Sequence, residues 1–199
     1  MKTTGIILVG GKSSRMGKNK ALLPFGDKKV IERIVEKMQM ITDHVILVTN
    51  TFEEYKFLNL PMVADQYKGL GPLAGIHAGL EASRTDHNLV VACDMPFVSV
   101  EIGAYLLREL NGFHACVPEI YGQLHPLFAA YHRDTKDILD KKLAKGELKV
   151  RNVFQELNVK IITEKDFAAV GLPLKDSDFF NMNYPQEYEM AQKLATKAE

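Results

Sequence analysis

Acidic residues are missing from the start of this chain: none precedes Asp27. Cysteine is scarce, with Cys93 and Cys116 alone, which excludes a disulfide framework and any cysteine-based metal spacing. Long apolar runs are missing too. No stretch approaches the ~20 apolar residues of a membrane span, and the run at 6–9 is far too short for the apolar region of a secretory signal. Neither sign of charge is in surplus, since Lys+Arg and Asp+Glu are equal at 25 each. No global field therefore recruits nucleic acid or a membrane surface, and any electrostatic steering must be local. These absences describe a soluble, cytoplasmic protein with neither nucleic acid nor membrane among its partners.

What is present is a rhythm. At 199 residues the chain is long enough for one substantial core. Short apolar or β-branched runs at 5–10, 44–49, 62–64, 88–93, 114–120, 124–131 and 159–163 read as strands. Between them, VIERIVEKMQMI sets Val30, Ile31, Ile34, Val35, Met38 and Ile41 on one helical face. VSVEIGAYLLREL does the same with Ile102, Leu106, Leu107 and Leu110, and DTKDILDKKLAKG and PQEYEMAQKLATK complete the helical patterns. The early strands are nearly continuous apolar runs, as expected of a parallel sheet buried on both faces. Strand–helix alternation up to residue 110 implies βαβ units with right-handed crossovers. The two adjoining runs around Gly122 imply an antiparallel excursion. One α/β domain with a mostly parallel sheet is expected.

The acid-free start holds GGKSSRMGKNKALL at 10–23, directly after the first apolar strand. A loop at the carboxyl end of a parallel strand lies where open α/β sheets bind ligands. Gly10 and Gly11 let backbone N–H groups approach an anion, and Lys12, Arg15, Lys18 and Lys20 add charge. A molecule with several phosphates is the natural partner. Two familiar loops are excluded by spacing. Ile6 stands where the P-loop needs its first glycine, and Gly10, Gly11 and Gly17 do not make Gly-x-Gly-x-x-Gly.

Three further stretches carry chemistry. In VVACDMPF at 90–97, Asp94 follows an apolar strand and precedes Pro96, which puts a carboxylate at the same sheet edge as the basic loop. A carboxylate beside phosphates is the usual way to hold Mg²⁺; a helix cap is the other use, but Ser99 is better placed for that. In ADQYKGLGPLAGIHAGL at 64–80, Asp65 again ends an apolar run, and Pro72 can start a helix. Its glycines either bring backbone to a ligand or, as Gly75 and Gly79 could, allow close helix–sheet packing. In FFNMNYP at 179–185, Asn181 and Asn183 point to the same side of an extended segment, where two amides suit a polar ligand or a metal's oxygen shell. No histidine is nominated as an acid–base group: His77, His114 and His132 fall within helix or strand patterns and read as packing residues, and His44 and His87 precede strands at solvated loop positions.

These motifs resemble those of the molybdenum cofactor guanylyltransferases, and more broadly of nucleotidyltransferases with a glycosyltransferase-A-like fold. The likeness rests on LVGGKSSRMG with Lys20, on GPLAG at 71–75, CDMP at 93–96 and NMN at 181–183, and it spans Gly5 to about Glu187. It implies a three-layer α/β/α, Rossmann-like nucleotidyltransferase fold in a single domain, with a GTP-binding half at about 1–110 and an acceptor-binding half at about 111–199. It also implies transfer of GMP from GTP to the terminal phosphate of molybdopterin, with or without bound molybdenum, and release of pyrophosphate. Leu8, Val9, Gly10 and Gly11 would meet GTP through backbone, Arg15 and Lys20 would hold the triphosphate, and Asp65 would read the guanine. Asp94 would bind Mg²⁺ beside the nucleotide. Asn181 and Asn183 would face the pterin or complete the metal shell, with the His125-Pro126 segment beside the acceptor pocket. Molybdoenzymes or cofactor-handling proteins would be the onward partners. Two departures stand out: Val9 where alanine is usual, and Tyr184 where threonine usually precedes the proline. A cytidylyltransferase for the same pterin, or a sugar-1-phosphate nucleotidyltransferase, is the nearest alternative.

Overall fold

The first apolar run forms strand β1, Thr3–Leu8, with Ile6 and Ile7 both wholly buried. Ile7 belongs to one apolar layer and Ile6 to the other, because successive side chains of a strand leave opposite faces. The computed structural model describes residues 2–10, 19–67, 69–147 and 149–198. In chain order, a small hairpin of β2, Pro24–Phe25, and β3, Lys28–Lys29, leads into helix α1, Val30–Ile41. Then follow β4, His44–Val48; the single-turn α2, Phe52–Tyr55; β5, Met62–Val63; α3, Pro72–Ala82; β6, His87–Ala92; and α4, Val100–Glu109. The second half holds β7, Ala115–Ile120; β8, Gln123–Leu124; β9, Phe128–His132; α5, Thr135–Ala144; and α6, Val150–Val153. It closes with β10, Val159–Thr163; α7, Glu164–Ala169; and α8, Pro185–Ala198.

The large sheet runs β10-β7-β9-β6-β1-β4-β5, with β8 added to β7. Strands β6, β1, β4 and β5 are parallel to one another, as are β7 and β10; β9 runs against both β6 and β7. That reversal is the antiparallel excursion expected after residue 110. Helices cover both faces. On one, α1 (Ile34, Met38) and α4 (Ile102, Leu106) pack over Ile7, Leu89 and Val91, joined by Phe167 of α7 and Ala191 of α8. On the other, α3 (Leu73, Ile76, Leu80) and α5 (Leu139, Leu143) pack over Ile6, Val90 and Val117. The three-layer α/β/α expectation is met.

Local chemistry accounts for the helix starts. Ser99 accepts the Ile102 N–H at 3.3 Å, the cap read from the sequence. Glu187 accepts the N–H groups of Asn183 and Tyr184, holding the start of α8 beside the segment that carries the two asparagines. Gly79 lets α3 approach the sheet: a Cβ there would lie 2.3 Å from Ile6 Cγ2. Gly75 likewise faces Leu8, so both glycines serve helix–sheet packing, one of the two uses read from the sequence. His87 is a correction. It is the first residue of β6, buried, with Nδ1 3.2 Å from the Leu107 carbonyl, where a solvated position was expected.

Candidate functional site

The parallel register sets the site. Leu8 is opposite both Val48 and Ala92, and Val48 is opposite Val63. The chain segments that leave these strands therefore emerge at one height on the carboxyl edge. Two residues beyond each strand end stand Gly10, Asn50, Asp65 and Asp94. The edge is stitched together by backbone: Val9 N–H donates to Val48 O at 2.9 Å, and Cys93 N–H to Leu8 O at 3.1 Å. Leu8 and Val9 are thus held in the sheet, while Gly10 is exposed with open space where a side chain would be. Gly11, Lys12, Arg15 and Lys18 lie outside the described residues.

Lys20, Asp94 and Asn183 come together at the middle of this edge. Lys20 opens a 3-10 turn, Lys20–Leu22, whose first residues are fixed by Asn19: its Oδ1 accepts the Ala21 N–H at 3.2 Å. The Asn19 Nδ2 donates to Glu54 and Tyr55, each at 2.7 Å. So placed, Lys20 Nζ lies 3.4 Å from Asn183 Oδ1. The Asp94 carbonyl accepts the Met182 N–H at 2.8 Å, which ties the Cys93-Asp94 turn to the asparagine segment. Burial raises the Asp94 carboxyl above its ordinary value; the Lys20 ammonium pulls it back, and Glu187 pushes it up again. A carboxylate in that setting is short of positive charge, the condition in which an added cation is held. Burial also pushes the Cys93 thiol up to about 12, so it is no nucleophile.

Asp65 stands apart, beyond β5. Its N–H donates to Asn50 Oδ1 at 3.2 Å, and its own Oδ1 is buried with no hydrogen-bond partner among the described residues. A buried carboxylate oxygen left unpaired is costly. It suits a donor brought by a ligand. Two residues on, the Tyr67 hydroxyl donates to Asp140 Oδ1 of α5 at 2.6 Å, which fastens the Asp65 loop to the helical layer. Helix α3 begins close by at Gly71, whose φ of 76° puts the backbone in the region that favours glycine.

On the other side of Asn183 lies a cavity of about 400 Å³. Its walls include Tyr121, Gln123, His125, Phe179, Asn181 and Asn183, all from the second half of the chain. The His125 and Phe179 rings lie 4.7 Å apart, and burial lowers the His125 pKa, which favours the neutral ring. Both asparagines and His125 thus share one cavity. Among the described residues no group of three or more His, Cys, Asp or Glu side chains converges as a metal site.

The family model described as "MobA-like NTP transferase domain" matches residues 5–161. A protein of Carboxydothermus hydrogenoformans named "Probable molybdenum cofactor guanylyltransferase" is 37% identical over 192 residues, covering 96% of this chain and 95% of that one. The chain belongs to the MobA-like NTP transferase family. A Clostridium perfringens relative of the same name is 35% identical over 190 residues, covering 95% and 96% of the two chains. The crystal structure of molybdopterin-guanine dinucleotide biosynthesis protein A from Archaeoglobus fulgidus superposes with a TM-score of 0.82 at 28% identity, covering 98% of this chain and 99% of that one. The MobA-like domain is therefore an enzyme domain of the nucleotidyltransferase type.

Within the MobA-like domain, sequence reasoning passed over Asn19 and Asn50, which set Lys20 and Asp65 in place. Asn50 carried the signal that found Asp65 and Asp94, a polar residue just past an apolar strand. Glu187 and Tyr121 gave none. No described helix of the domain is long and apolar enough to cross a membrane.

Proposed function

We propose that this MobA-like domain transfers GMP from GTP to the terminal phosphate of molybdopterin, forming the guanine dinucleotide and releasing pyrophosphate. The observation that carries the reading is the Lys20–Asn183 contact at 3.4 Å beside the half-buried Asp94. It joins the phosphate-loop edge to the second-half cavity, so two ligands would meet there. The relatives' names supply the identity of both. The first half, to about residue 110, serves GTP and the rest serves the acceptor.

Both reactants are anions, and their repulsion must be cancelled before they meet. Lys20 and Arg15 neutralise the triphosphate and the departing pyrophosphate, with Lys12 and Lys18 adding charge. Leu8, Val9, Gly10 and Gly11 present backbone to the nucleotide. The unpaired Asp65 oxygen accepts from the guanine edge, whose N1–H and 2-amino group are both donors. Asn181 and Asn183 orient the acceptor. An oxygen of the acceptor phosphate then bonds to the α-phosphorus in line, and the bond to the β-phosphate oxygen breaks, leaving pyrophosphate with the electron pair. No general base is needed, since a phosphate monoester is already ionised near neutral pH.

Nucleotidyl transfer between anions generally takes a divalent cation, and Mg²⁺ is the cation of this reading. Asp94 would hold it, with Asn183 within the same cluster; Mg²⁺ needs only one or two carboxylates besides water and phosphate oxygens. Bound there, it supplies charge neutralisation and polarises the phosphoryl oxygen. A cytoplasmic location and hand-over of the product to molybdoenzymes or cofactor-handling proteins belong to the same reading. GTP labelled at the α-phosphorus, incubated with molybdopterin and Mg²⁺, tests it. Label in the pterin with equimolar pyrophosphate is expected; GDP and inorganic phosphate would refute it.

A further inference from the structure

The tip of the β7–β8 hairpin carries a residue that does not suit its backbone. Ile120 pairs with Gln123, so Tyr121 and Gly122 alone form the turn, with φ of 50° and 74°. A two-residue turn with both φ positive favours Asn-Gly. A bulky tyrosine at positive φ is strained. Nothing in the fold offsets that strain through side-chain packing, since Tyr121 is 86% exposed. Its N–H donates to the Glu164 carboxylate at the start of α7, which fastens the tip in this conformation.

Tyr121 nevertheless has a place: it stands on the wall of the 400 Å³ cavity. Deeper in that cavity are the His125 and Phe179 rings, and Phe179 is backed by Phe128 at 5.6 Å. Asn181, Asn183 and Gln123 bring amides to the same space. Aromatic faces with amides beside them suit a flat, fused-ring heterocycle, stacked on its faces and hydrogen-bonded at its edges. The volume lies within the range of small-ligand sites.

We infer that Tyr121 is an acceptor-contacting residue, its exposed ring stacking on the planar heterocycle of the acceptor at the mouth of this cavity. The inference rests on the proposed function, which makes that acceptor a pterin. The strain and the exposure of the ring then have one explanation: the residue is kept for a contact made only in the complex. A residue kept for the turn itself would be asparagine or glycine.

Tyr121→Asn separates the two roles, because asparagine suits the turn and lacks the ring. Steady-state kinetics with molybdopterin and GTP, together with thermal melts, provide the readouts. The expected result is an acceptor KM raised about tenfold or more, the typical worth of one aromatic stack. The GTP KM stays within twofold, and Tm rises by about 2 °C as the strain is relieved. Tyr121→Phe, which keeps the ring, recovers most of the acceptor affinity. An acceptor KM within twofold of wild type for Tyr121→Asn overturns the inference, and so does a weakened acceptor accompanied by a lower Tm. If wild-type protein forms no product with the pterin, the proposed function itself falls, and the inference with it.

Discussion

Replacing Lys20 with methionine probes the centre of the site with little change in side-chain length. Lys20 is the described cation that meets Asn183, and its ammonium offsets the burial of Asp94. A unit charge about 5 Å from a phosphate oxygen, at an effective dielectric of about 20, contributes about 3 kcal/mol. That corresponds to about two orders of magnitude in rate, in line with the loss seen when one preorganised charge is removed from such a site. Lys20→Met should therefore lower kcat/KM about a hundredfold. A second effect has a fixed sign. Asp94 must be ionised to hold a cation, and its carboxyl is already raised by burial. Without Lys20, burial and the Glu187 charge are opposed only by the hydrogen bond from the Asp94 backbone N–H, so the carboxyl rises further. The acid limb of the pH profile of kcat/KM should move to higher pH. Pyrophosphate release measured across pH for both proteins reads both effects at once. A loss under tenfold, or an acid limb that stays in place or moves to lower pH, would refute the reasoning.

Three further outcomes are expected. Asp94→Asn should abolish most turnover yet raise the thermal midpoint of the ligand-free protein at neutral pH. A carboxyl raised on folding contributes stability at low pH that is lost as pH rises through its folded value, so the advantage of asparagine should shrink as pH falls; thermal melts at several pH values check the trend. Asp65→Ala should raise the GTP KM by about tenfold or more while kcat changes little, and should narrow the preference of GTP over ATP in parallel assays, since a two-point contact to a base edge contributes about 1–3 kcal/mol. Gly79→Ala drives a methyl against Ile6, 2.3 Å from Cγ2; denaturant unfolding should show a loss of about 1–3 kcal/mol.

The long elements were legible because each repeats its signal. Helix α1 spans Val30–Ile41, the stretch whose apolar positions recur at helical spacing, and all but one of those six residues are buried. The first parallel strands were equally plain, since β6 is buried at every position. Single-turn elements such as α2 and α6 were not, because four residues cannot display a period. His87 was misplaced because a histidine ahead of an apolar run looks like loop, whereas the sheet extends far enough for it to pair with His132.

The site divides in the same way. Asp65 and Asp94 stood out as carboxylates after apolar strands, and register brings them to one edge. Lys20 and Asn183 were each singled out, but their contact joins positions at opposite ends of the chain, which no local pattern reports. Asn19 and Asn50 act through backbone groups of their neighbours and left no distinctive spacing. Gly122 read as a turn, while the positive φ of Tyr121 could not be read, since tyrosine is no turn signal.

The most direct test of the account is nucleotide choice. Purified protein with Mg²⁺ and molybdopterin is given each of the four ribonucleoside triphosphates in turn, and pyrophosphate and nucleotide-bearing pterin are quantified. The account predicts product from GTP alone, with one pyrophosphate per pterin dinucleotide. Product from CTP instead, or nucleotide bound with no product from any triphosphate, would contradict it.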